Sequence, residues 1–139
     1  MSQDRRTAFV LAAGLGSRLK EYTKDKPKAL VSINNQPLIK VVLEELIENG
    51  FNHIVVNVHH FGEKIIEFLG GFSTALRSNG NDVTIEISDE RPLLMDTGGA
   101  ILQALPFFKQ SKAVLVHNVD ILTSVNLQAF YDDFCQSDD

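Results

Sequence analysis

Apolar residues fall in short blocks along the chain, and the blocks alternate between two periodicities. Residues 7–13 are apolar almost throughout (Ala8, Phe9, Val10, Leu11, Ala12, Ala13) and close on Gly14-Leu15-Gly16. So short and continuous a run predicts a strand buried on both faces, as in parallel sheets. Leu38, Ile39, Val41, Val42, Leu43, Leu46 and Ile47 then recur at near-helical spacing and stop at Asn49-Gly50, a pair suited to a helix C-terminus. Pro37 fits the start of that helix, where a missing N–H costs nothing. A second apolar run covers 53–58, and residues 61–69 carry apolar side chains at 61, 65, 66, 68 and 69, so strand and helix repeat. Residues 82–88 alternate strictly between apolar and polar, which predicts a strand nearer an edge. A helix over 98–108, opened by Thr97 and ended near Pro106, a strand over 113–120 and a helix over 125–134 complete the pattern.

Strands alternating with helices imply right-handed crossovers and a parallel sheet covered on both sides, an α/β fold. Residues 20–36 are the one long stretch without a clear element, and they carry Lys24, Lys26, Pro27 and Lys28. A loop of that length in a compact domain is often functional. The chain ends soon after a helix that would ordinarily lead into another strand, so residues 1–139 are read as one unit, the N-terminal piece of something longer.

The 139 residues fit one domain, with roughly two-thirds of the unfolded surface buried on folding. Hydrophobic residues make up 44% and charged residues 22%, a soluble globular composition and not that of a disordered tail. The formal net charge of -5 argues against a broad basic face for nucleic acid, so an anionic ligand has to be met locally. The single cysteine, Cys135, cannot form an internal disulfide, and no apolar segment is long enough for secretion or for spanning a membrane. A reduced, cytoplasmic setting is expected, with neither nucleic acid nor membrane as partner. The oligomeric state stays open, a homo-oligomer included.

Leu11-Ala12-Ala13-Gly14-Leu15-Gly16-Ser17-Arg18 places two glycines at the C-terminal end of the first strand, where open α/β sheets bind ligands. Glycine lets backbone amides approach phosphate oxygens closely. The dinucleotide fingerprint would need a glycine where Leu19 stands, and the Walker pattern needs a Gly-Lys-Ser/Thr that is absent. Instead Arg18 follows the loop directly, and Lys26-Pro27-Lys28 precedes the apolar Ala29-Leu30-Val31. A guanidinium fork and a mobile ammonium beside a glycine turn suit a polyphosphate. The plainer alternative is a tight turn beside a solvated basic loop, and the residues alone leave both open.

Read as L-A-A-G-L-G-S-R-L…K-P-K-A-L-V, residues 11–31 resemble the signature of the sugar-1-phosphate nucleotidyltransferases. The similarity continues through Gln36-Pro37-Leu38, Met95-Asp96-Thr97-Gly98-Gly99-Ala100 and Asn118-Val119-Asp120, and so covers the whole chain. Among family branches it is most similar to the bacterial mannose-1-phosphate guanylyltransferase and N-acetylmuramate-1-phosphate uridylyltransferase type. The resemblance implies a Rossmann-like three-layer α/β/α fold. It also implies a reaction joining a nucleoside triphosphate, GTP or UTP, to a sugar 1-phosphate, giving a nucleotide sugar and pyrophosphate.

By the same resemblance, Arg18 and Lys28 would be the catalytic cations, with Leu11, Ala12, Ala13, Gly14, Leu15, Gly16 and Ser17 around the phosphates. Thr97, Gly98 and Gly99 would flank the nucleotide beside base and ribose, although on physics alone Thr97 or Asp96 reads as a plain helix cap. Asp96 departs from the glycine or glutamate more usual there. Asp120 would hold Mg²⁺, which takes only one or two protein carboxylates; Val119 stands where the family has a small residue. The family's other metal carboxylate comes from later in the chain. His59-His60 lacks the companion ligands of a zinc site and reads as a solvated pair, and Asn57 faces the ligand end of the sheet. Two other functions stay open: a cytidylyltransferase acting on phosphocholine or another small phosphate ester, and a binding module without turnover.

Overall fold

The computed structural model describes residues 4–14, 21 and 24–137. Strands β1 (Thr7–Leu11), β4 (His53–Val58), β5 (Thr84–Asp89) and β6 (Val114–Asn118) form one parallel sheet in the order β5-β4-β1-β6. Every residue of β4 is buried, as is β1 up to Leu11. That burial is why both read as near-continuous apolar runs, with Asn57 the polar residue inside β4. β5 lies at a sheet edge with both of its end residues, Thr84 and Asp89, exposed, in keeping with its alternation.

Three layers result, as expected for a Rossmann-like α/β fold. Ala8 and Val10 of β1 and Ile54 and Val56 of β4 face a core shared with α1 (Leu38–Glu48), α2 (Gly62–Ser78) and α4 (Leu127–Gln136). Phe9 and Val55, one residue out of phase, point to the opposite face and pack on Ala100 and Ala104 of α3 (Thr97–Ala104). The chain therefore builds β1, β4 and β5 outward in one direction and returns to set β6 on the other side of β1. At such a reversal of strand order the crossovers part to opposite faces and leave a crevice at the C-terminal strand ends.

The helices follow the sequence pattern with instructive differences. α1 buries Leu38, Ile39, Val42, Leu43 and Leu46, begins after Pro37 and ends at Asn49, with Gly50 at φ 90. α2 continues well past residue 69, straight through Gly70-Gly71. Two exposed glycines each cost about 1 kcal/mol relative to alanine. Phe72 carries the apolar stripe beyond them and packs against the core and Phe68. α3 is shorter than the spacing suggests. Pro106 has no N–H for an α-helical bond, and the chain tightens into a 3-10 turn over Leu105–Phe108.

Part of the segment read as a loop is ordered. A 3-10 turn at Lys28–Leu30 leads into β2 (Ser32–Ile33) and β3 (Gln36–Pro37), an antiparallel pair. Asn34 and Asn35 join them at φ 52 and φ 66, the two consecutive left-handed residues of a tight hairpin.

At the N-terminal edge of the sheet, Thr7, His53, Glu86 and Ser111 form a side-chain hydrogen-bond chain. His53 joins Glu86 at 2.6 Å and Thr7 at 3.0 Å, and Thr7 joins Ser111 at 2.5 Å. Nearby, the Arg6 guanidinium lies 4.7 Å from the Tyr131 ring centroid and pairs with Asp132 at 2.7 Å. No helix among the described residues is long and apolar enough to cross a membrane.

Candidate active site

The crevice between the C-terminal ends of β1 and β6 is a cleft of about 410 Å³. Its walls come from the end of β1 at Leu11 and Gly14, from Lys28, from the turn at Asp96 and Thr97, and from Asp120 after β6. Leu15, Gly16, Ser17 and Arg18 lie outside the described residues.

Lys28 reaches the cleft because its neighbours are anchored. Pro27 sets an extended entry, the amides of Leu30 and Val31 close the 3-10 turn onto Pro27 and Lys28, and Ala29 is fully buried in the core. Asp120 is delivered from the other side. The amide of Val119 still donates to the Leu11 carbonyl, prolonging the β1–β6 pairing by one step, and the chain then turns with Ile121 N–H on the Asn118 carbonyl. Buried Val119 plugs into the core. Lys28 Nζ stands 3.1 Å from Asp120 Oδ2, and both side chains keep solvent access. Gly14 lies beside the Lys28 ammonium: a Cβ there would sit 3.7 Å from Lys28 Nζ.

The turn into α3 is capped by Asp96, whose Oδ1 accepts the Gly99 amide at 2.7 Å. Thr97 is the first helical residue, so between the two capping candidates the carboxylate takes the role. A Cβ on Gly99 would meet Asp96 Oδ1 at 3.1 Å and Met95 Cβ at 3.2 Å, whereas Gly98 has room. The helix N-terminus at this wall thus already holds an anion.

Asn57 does face the ligand end of the sheet, but its side chain is committed. Oδ1 accepts the amides of Ala12 at 2.6 Å and Ala13 at 3.1 Å, and Nδ2 donates to Glu90 Oε2 at 2.8 Å. Glu90 is 2% exposed, and its Oε1 accepts the Met95 amide at 3.2 Å. Sequence reasoning passed over Glu90, which sits in the polar run Ser88-Asp89-Glu90-Arg91. The available signal was the period of two: Ser88 and Glu90 are buried, while Asp89 and Arg91 are exposed and paired with each other at 2.7 Å. That pairing holds the Asp89 carboxyl below the usual carboxylate range. His59 donates through Nδ1 to the Glu90 carbonyl at 2.7 Å, and the His60 ring lies against Phe61.

Among the described residues no cluster of three His, Cys, Asp or Glu forms. Of the two carboxylates lining the cleft among the described residues, Asp96 is engaged as a cap and Asp120 is paired with Lys28.

Over 120 residues the chain is 40% identical to the N-acetylmuramate alpha-1-phosphate uridylyltransferase of Caulobacter vibrioides, covering 86% of this chain and 48% of that protein. It is 32% identical to the D-glycero-alpha-D-manno-heptose 1-phosphate guanylyltransferase of Campylobacter jejuni, covering 86% and 50%. The crystal structure of HddC from Yersinia pseudotuberculosis complexed with GMP-PN superposes with a TM-score of 0.75 at 26% identity, over 96% of this chain and 56% of that one. The chain spans about half the length of the curated relatives it matches. The family described as nucleotidyl transferase matches residues 7–139, nearly the entire sequence. With its parallel sheet, its crevice at the strand-order reversal and that match, the chain belongs to the nucleotidyl transferase family.

Proposed function

We propose that this chain is the nucleotide-binding part of a sugar-1-phosphate nucleotidyltransferase that takes GTP or UTP. In the reaction an oxygen of the sugar phosphate forms a bond to the α-phosphorus of the triphosphate while the bond from that phosphorus to the bridging oxygen breaks, releasing pyrophosphate. No covalent enzyme intermediate is needed. Such a transfer is helped chiefly by alignment and by neutralising charge on the phosphates.

The observation that carries the reading is the meeting of Lys28 and Asp120, with the ammonium beside Gly14, where the strand order reverses. Paired with each other they are charge-balanced and exposed, so a polyphosphate could draw the ammonium onto its oxygens and leave the carboxylate free. Lys28 would then contact the α-phosphate or the incoming sugar phosphate. The amides from Gly14 to Ser17 would cradle the remaining phosphates, and Arg18 would stabilise the leaving pyrophosphate. Asp96 already occupies the start of α3, which makes the Thr97-Gly98-Gly99 wall a poor place for phosphate and a fitting one for ribose and base.

Asp120 fits Mg²⁺ as a single carboxylate, since that ion keeps several waters and takes its other oxygens from phosphates. When bound, magnesium would supply charge neutralisation on the triphosphate. The lone Cys135, half-buried and unpaired, accords with a reducing compartment such as the cytoplasm.

The test is pyrophosphate release by the complete natural polypeptide containing this sequence. UTP and GTP are offered with N-acetylmuramate, heptose and mannose 1-phosphates, and CTP with phosphocholine. Magnesium-dependent release of nucleotide sugar and pyrophosphate in equal amounts, cut about 100-fold or more by Lys28→Ala, is expected. Turnover confined to phosphocholine, or nucleotide binding with no release, would overturn the reading.

A further inference from the structure

The β1–β4 ladder ends where Leu11 pairs with Asn57. Beyond it the chain leaves the sheet, and the amides of Ala12 and Ala13 have no strand to bond. The Asn57 side chain takes both through one oxygen and turns its N–H₂ to Glu90. Glu90 in turn uses its second oxygen on Met95, the residue that leads into the α3 cap. One unbroken chain of hydrogen bonds, buried up to its part-buried last link at Met95, therefore runs from the glycine loop, on one wall of the cleft, to the Met95-Asp96-Thr97 turn on the other.

Burying a carboxylate is costly, and an apolar or neutral residue usually fills such a place at least as stably. What the carboxylate offers is two acceptors on one rigid fork, matched to two N–H donors from separate segments. We propose that Glu90 is a positioning residue that, acting through Asn57, sets the separation between the glycine loop and the Met95–Thr97 turn at the value a nucleoside triphosphate requires. The inference rests on the nucleotide-binding reading above. It adds a residue that touches no substrate.

The test uses a reciprocal exchange. Glu90→Gln replaces one acceptor by a donor, so an N–H of either Asn57 or Met95 is left facing an N–H. Asn57→Asp sets a carboxylate oxygen against the Glu90 carboxylate. Combined, the two substitutions rebuild the chain: the introduced aspartate accepts from Ala12, Ala13 and the introduced amide, whose oxygen accepts from Met95. Affinity for UTP and GTP with magnesium is measured by calorimetry, beside the melting temperature and the amide proton shifts of Ala12, Ala13 and Met95. Thr7→Val, at the opposite end of the sheet, serves as a destabilised control.

Each single variant is expected to weaken triphosphate binding about tenfold or more, and the double variant to return within about threefold of the parent. The amide shifts should return with it, and Thr7→Val should melt earlier with unchanged affinity. Should a single variant fail to fold, a double variant that folds and binds within that margin upholds the proposal. A double variant that does not fold, or binds no better than the weaker single one, overturns it. Parental affinity in both single variants overturns it while leaving the nucleotide reading intact; a parent that binds neither triphosphate removes both.

Discussion

Lys28 and Asp120, 92 positions apart in sequence, meet at 3.1 Å, with the Lys28 ammonium beside Gly14. Solvent-exposed pairs of this kind contribute about 0–1 kcal/mol, so the contact does little for stability and its position is what matters. Lys28→Met and Asp120→Asn should therefore each leave the urea midpoint nearly unchanged. Lys28→Met should weaken triphosphate binding with or without magnesium, whereas Asp120→Asn should remove the gain in affinity that magnesium brings. Titrations with and without the ion decide the matter; a magnesium effect of parental size in Asp120→Asn would take that residue out of the metal's company.

The Asp96 cap makes a separate prediction. Removing an N-cap side chain costs about 1 kcal/mol, so Asp96→Ala should lower stability by about that amount and Asp96→Ser should recover most of it. Gly99→Ala would ordinarily stabilise a helix by about 1 kcal/mol. Here the added carbon presses on the capping oxygen at 3.1 Å, and the gain should vanish. Denaturant titrations of the three variants check both statements.

The contrast between Lys28 and Glu90 shows what a sequence can disclose. Lys28 and Asp120 are singled out by the resemblance that the Pro-Lys pair and the Asn118-Val119-Asp120 run carry, and the structure brings the two side chains together in the cleft. Glu90 is not singled out, because a carboxylate between Asp89 and Arg91 looks like any solvated charge until β4 supplies Asn57 beside it. The same limit applies to the fold. β1 and β4 announced themselves by burial on both faces. The β2–β3 hairpin is too short for a period to develop, and the continuation of α2 past Gly70-Gly71 depends on Phe72 finding the core, a tertiary contact that local propensity opposes.

At the edge of the sheet away from the cleft, Thr7 connects His53 to Ser111. His53 is 1% exposed, so a ring nitrogen deprived of its partner has no water to turn to. Thr7→Val keeps the shape and deletes the hydroxyl, which should cost about 1–3 kcal/mol for the unsatisfied buried group. Ser111→Ala, at the more open end of the chain, should cost about 0.5–1.5 kcal/mol. Neither should change nucleotide affinity. An equal loss in the two variants would mean that Thr7 alone does not satisfy His53.

Tyr131 supplies a prediction about pH. Its ring packs edge-on against Phe51 at 5.2 Å, and its hydroxyl donates to the Ala113 carbonyl at 3.2 Å. Burial, reinforced by the Cys135 thiol and partly offset by Arg6, pushes its ionisation up to about 12. In the unfolded chain a tyrosine ionises near pH 10. Between about pH 10 and about pH 12 the unfolded state has therefore lost a proton that the folded state still holds, and stability must fall as pH rises through that window. Below it the group contributes no slope. Tyr131→Phe keeps the ring and removes the proton, so the alkaline fall in the urea midpoint should become shallower. Ultraviolet titration of the folded protein offers the independent check, because the chain has only two tyrosines, Tyr22 and Tyr131. The substitution should delete an ionisation step at about pH 12, and loss of a step near pH 10 instead would show that the Tyr131 hydroxyl is not the protected group.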